Sequence, residues 1–105
     1  MVKETFREVG KKASELCARL RDLEQAHPHF DLRRRIIDDA EALADKASDR
    51  ANGKWPVSNR EASRAVNRMI DRLSEDLSRA PQSVRNDETV KVLLRDLLNR
   101  QRRET

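Results

Sequence analysis

At 105 residues, with 40% charged and 36% hydrophobic side chains, two Gly and no Tyr, the chain has the size of one domain with one modest core. That composition excludes collagen-like and strand-rich architectures and points to packed helices, while regular apolar spacing argues against disorder. Its 23 basic residues exceed the 19 acidic ones by only four, so any anion binding has to come from local clusters rather than overall charge.

The first segment carries apolar residues at Val2, Phe6, Val9, Ala13, Leu16, Leu20 and Leu23. These alternate four- and three-residue steps, the seam of a coiled coil, and predict a helix over 2–26 that ends before Pro28. A seam this narrow packs inside a bundle or between two chains. Phe6, Val9, Ala13, Leu16, Leu20 and Leu23 are therefore the candidate homodimer seam. Cys17 flanks it and reads as a small packing residue. As the single cysteine it forms no disulfide within these residues, which favours a reducing compartment.

A second helix is expected over 32–51, with Asp31 as N-cap and Asn52-Gly53 as its stop. Its inward face is Ile36, Ala40, Leu43 and Ala47, broadened by Ile37, Ala44 and Ala51, and so much alanine implies close approach of a neighbour. Arg33, Arg34 and Arg35 fall in its first turn, where positive charge is disfavoured by the helix dipole. Asp38 and Asp39 answer Arg34 and Arg35 four residues on. Together with free N–H groups, the cluster is a candidate phosphate or carboxylate contact.

Trp55 in the following loop is expected to cap one end of the core. Ser58 and Glu61 then form a Ser-x-x-Glu capping box that opens a third helix over 59–80, with Ala62, Val66, Met69, Ile70, Leu73 and Leu77 inward and Ala80 as a further candidate at its end. A fourth helix is expected over 87–102, burying Val90, Leu93, Leu94, Leu97 and Leu98. The predicted architecture is thus all-α: a small antiparallel bundle of about four helices in a single domain, 1–105.

On the third helix Arg60, Arg64, Arg68 and Arg72 recur every four residues, so they share one slowly drifting stripe and repel one another. Asp71 is placed to answer Arg68, and Glu75 and Asp76 to answer Arg72 and Arg79. That leaves Arg60 and Arg64, framed by Asn59, Ser63 and Asn67, as the unmatched half. Asn59, Arg60, Ser63, Arg64, Asn67 and Arg68 are the candidate residues for binding a partner or nucleic acid, with Arg33, Arg34 and Arg35 as a second cluster.

The run Val57-Ser58-Asn59-Arg60-Glu61-Ala62-Ser63-Arg64-Ala65-Val66-Asn67 resembles the recognition-helix segment of Lac-repressor-type helix-turn-helix domains, through its Val-Ser opening and its Ser-Arg-x-Val-Asn. The resemblance covers 11 of the 105 residues and implies DNA contact by this helix. It departs in the connection before Val57, which Asn52-Gly53-Lys54-Trp55-Pro56 lengthens, and in a helix that continues past Asn67.

There is no Gly-rich phosphate loop, nucleophile elbow or nucleophile–base motif, and His27-Pro28-His29 lacks a metal-ligand spacing. No enzyme activity, cofactor or metal is expected. The sequence-level expectation is a cytoplasmic, non-enzymatic regulator or adaptor that binds another protein through charged helical faces, with nucleic-acid binding by the third helix as the alternative. No apolar run is long enough for a membrane span or signal peptide.

Overall fold

The computed structural model describes residues 1–27 and 33–103. The helices follow in the order α1 (Lys3–Ala26), a π-helical turn (Arg33–Ile37) that runs into α2 (Asp38–Ala51), α3 (Asn59–Ser78), the one-turn α4 (Gln82–Arg85) and α5 (Glu88–Arg103). No strand occurs among the described residues. The result is the expected all-α bundle, 41 × 23 × 17 Å in extent.

The four long helices form a closed ring, α1 against α2 and α5, and α3 against the same two. Their directions follow from which ends meet. Arg21 near the end of α1 pairs with Glu41 near the start of α2, whereas Gly10 lies against Ser48. Along α1 and α5 the pairs Arg19–Asp87, Lys12–Asp96 and Glu8–Arg100 run in opposite sequence order. Neighbours in the ring are therefore antiparallel, as short connections favour.

The heptad seam closes inside the chain. Phe6, Val9, Ala13, Leu16, Leu20 and Leu23 are each at most 6% exposed. Within the chain the seam's apolar stripe is covered by α2 and α5, the bundle-internal of the two packings its spacing allows. Cys17 packs beside it, with its Sγ 3.9 Å from the Ile37 carbonyl. Burial pushes that thiol above its usual range.

Close approach of α1 and α2 rests on small residues. Ala40 and Ala47 are fully buried, and a Cβ on Gly10 would lie 2.8 Å from Ser48 Oγ and 3.4 Å from the Ala44 carbonyl. The start of α2 differs from expectation. Its first turn holds Asp38, Asp39 and Glu41, which suit the positive end of the dipole, and Arg33 to Arg35 lie upstream in the π-helical turn. The expected cap, Asp31, lies outside the described residues. The other end of α2 is a Schellman stop: Gly53 adopts φ 73°, its N–H donates to the Arg50 carbonyl at 3.2 Å, and Lys54 N–H donates to the Asp49 carbonyl at 2.8 Å.

Ser58 Oγ accepts the Glu61 N–H at 3.1 Å, the hydroxyl half of the expected box. α3 ends two residues earlier than expected, at Ser78, and Ala80 beyond it is still buried. The turn α4 was not anticipated, because a single apolar residue between Pro81 and Asp87 carries no periodicity; it places Val84 wholly in the core. Asp87 stands before α5 rather than in its first turn. Its side chain accepts the Val90 N–H at 3.1 Å and its carbonyl accepts Lys91 N–H at 3.0 Å, the pattern of an N-cap.

A candidate partner-binding face on α3

Each four-residue step along a helix rotates a side chain by about 40°. Arg60, Arg64, Arg68 and Arg72 therefore wind across the outside of α3, from the side near α5 to the side near α2. All four are exposed. Among the described residues, Arg60, Arg64 and Arg68 have neither an ion pair nor a hydrogen bond.

The acids expected to neutralise the stripe are engaged elsewhere. Asp71 accepts from Gln101 of α5 at 2.7 Å, and Glu75 pairs with Arg79 at 3.0 Å. Arg68 is consequently unmatched, contrary to the expectation that Asp71 would answer it. Arg72 lies by two further carboxylates, Asp39 and Asp76, which face each other between α2 and α3. Burial and the hydrogen bond to Asp76 push the Asp39 carboxyl up to about 6, with Arg72 opposing the shift.

The polar residues that frame the stripe in sequence do not share its face. Ser63 Oγ accepts from the Met1 ammonium at 2.6 Å. Asn67 turns toward α5, where Gln101 donates to its backbone carbonyl at 3.1 Å and its buried Oδ1 finds no hydrogen-bond partner among the described residues. Asn59 is exposed and lines a cavity of about 580 Å³ with Lys3, Arg7 and Pro56. The Ser-Arg-x-Val-Asn run thus divides: Arg64 faces solvent, Val66 is fully buried, and Ser63 and Asn67 are used within the fold. Arg35 is exposed, while the side chains of Arg33 and Arg34 lie outside those described.

Sequence reasoning missed what lies beside the stripe. Trp55 packs half-buried against the core, as expected, and also stands between two hollows. One is the Asn59 cavity; the other is a groove of about 430 Å³ lined by Lys46, Trp55, Ala65, Arg68, Met69 and Arg72. The Lys46 ammonium sits 4.4 Å from the Trp55 ring centroid, a cation–π distance. The loop that carries Trp55 is held by Arg50, which donates to the Trp55 carbonyl at 3.0 Å and to the Val57 carbonyl. Met69 was expected in the core but is only partly buried. It packs against the edge of the core and lines the groove.

Among the described residues no group of three or more His, Cys, Asp or Glu side chains is placed to hold a metal ion, and His29 lies outside them. No described helix is long and apolar enough to cross a membrane. Comparisons with protein-family models, curated proteins and solved structures find no match.

Proposed function

We propose that this chain is a small non-enzymatic regulator or adaptor that acts in the cytoplasm by binding another protein through the outer face of α3. The observation that carries this reading is the contrast in charge pairing. Lys12, Arg19 and Arg100 all meet carboxylates across the α1–α5 interface, whereas Arg60, Arg64 and Arg68 meet none. Three aligned and unneutralised guanidiniums repel one another in the free protein, and an acidic partner surface relieves that repulsion. Exposed Glu61, Asp71 and Glu75 lie on the same outer side of the helix and oppose a phosphate backbone running along it, so a protein surface of mixed charge fits better than a duplex.

The test is affinity capture by the full chain from native extract in the presence of nuclease. A specific protein retained by the wild type and lost by the Arg60→Glu/Arg64→Glu variant is the expected result. Recovery of nucleic acid alone when nuclease is omitted, with affinity falling steeply with salt, would replace this reading with nucleic-acid binding. That second reading has one feature in its favour, the exposed arginines at the well-capped start of α3.

A further inference from the structure

We propose that the groove between α2 and α3 receives an acidic amphipathic helix of the partner, with an apolar side chain seated on Trp55 and Met69 and flanking carboxylates meeting Lys46, Arg68 and Arg72. This rests on the protein-binding reading and specifies its partner's chemistry. Three features of the groove choose the occupant.

Half of the lining residues are apolar: Trp55, Met69 and Ala65. A half-buried tryptophan beside a methionine forms an adaptable anchor pocket of the kind that carries much of an interface's affinity. The same lining carries three cations, Lys46 of α2 with its ammonium over one face of Trp55, and Arg68 and Arg72 of α3, so positive charge reaches the groove from both helices. An apolar anchor flanked by Asp or Glu complements this arrangement; a basic segment is repelled by it.

The third feature is secondary structure. No strand edge exists among the described residues, so an extended peptide would find no ladder to satisfy its backbone there. A helix satisfies its own backbone and brings anchors at three- and four-residue spacing. A nucleic-acid strand is disfavoured because the groove offers one aromatic ring for stacking successive bases. The stripe and the groove share Arg68, so the two surfaces are continuous.

Trp55 is the sole tryptophan of the sequence, so its fluorescence reports the groove directly. The probe is a synthetic amphipathic helix of roughly 15 residues with Leu and Phe anchors flanked by Glu, compared with the same peptide carrying Lys for Glu and with oligo-dT. The expected result is a saturable change in Trp55 emission with the acidic peptide only, weakened about tenfold or more by Lys46→Glu/Arg68→Glu.

Ala65→Arg separates shape from charge. It raises the positive charge but crowds the apolar lining, and it is expected to weaken binding, with far-ultraviolet circular dichroism confirming the fold of each variant. Tighter binding by Ala65→Arg, or binding unaffected by Lys46→Glu/Arg68→Glu, would overturn the groove. A change in Trp55 emission on diluting the free protein would assign the groove to a second copy instead. Capture of a native partner that depends on Arg60 and Arg64, with no response of Trp55 to the acidic peptide, would overturn the groove and leave the protein-binding reading standing. A salt-sensitive response to oligo-dT without a response to the acidic peptide would defeat both.

Discussion

The two sides of this bundle use their charges in opposite ways. Across α1 and α5, cations and carboxylates interlock in three rungs, and the Arg19–Asp87 rung is bidentate, at 3.0 and 2.6 Å. Across the outer face of α3, three arginines stand without partners, while Asp71 and Glu75 bond elsewhere. Both regions come from a chain with a similar abundance of Arg, Asp and Glu throughout. The contrast teaches that charge content alone does not fix which cations find carboxylates; pairing depends on which helices become neighbours.

The sharpest way to break the tightly built side is at its closest contact. Gly10→Val forces methyl groups into the Ala44 carbonyl and the Ser48 backbone, and should cost about 2–3 kcal/mol in urea unfolding. Asp87→Ala should cost about 1.5 kcal/mol by removing the N-cap of α5, and it should loosen α5 first in hydrogen exchange.

The two sides should also respond oppositely to acid. Arg19 and the Val90 N–H hold the Asp87 carboxyl below the ordinary 3.8, so its contribution is present above that value and is lost as pH falls through the lowered one. Asp39, raised to about 6, works the other way: it favours the fold below 3.8 and loses that contribution as pH rises toward and through 6. Asp39→Asn should therefore stabilise the protein at neutral pH by about 1 kcal/mol, allowing for solvent screening at a half-buried site, and should flatten the stability curve between pH 4 and 6. A neutral-pH loss of stability would remove the carboxyl pair from the account.

The smallest effect is the most telling. Arg60→Gln with Arg64→Gln should change stability by less than about 0.5 kcal/mol, in the stabilising direction, because it relieves repulsion and breaks no bond. Partner capture should nonetheless fall. A destabilising outcome would mean the stripe serves the fold.

Much of the fold was legible because it is local. The step pattern of Val9, Leu16 and Leu23 gives a helical face, Ser58 gives a start, and Asn52-Gly53 gives a stop. The α4 turn escaped because Val84 has no apolar neighbour at helical spacing. The candidate face was legible only in part. The stripe is a pure helical repeat, and so visible. The inward turn of Ser63 and Asn67, the diversion of Asp71 to Gln101, and the groove at Trp55 all depend on residues far apart in sequence.

By itself the sequence determined the four long helices, most of their apolar faces and the four-residue arginine repeat, since periodicity and capping act within a few residues of the chain. Tertiary structure alone decided that the α1 seam closes inside the chain, which cations find carboxylates, and that Lys46, Trp55, Met69 and Arg68 meet at one groove. These outcomes turn on the order and angle in which helices pack, and short-range spacing carries no record of either.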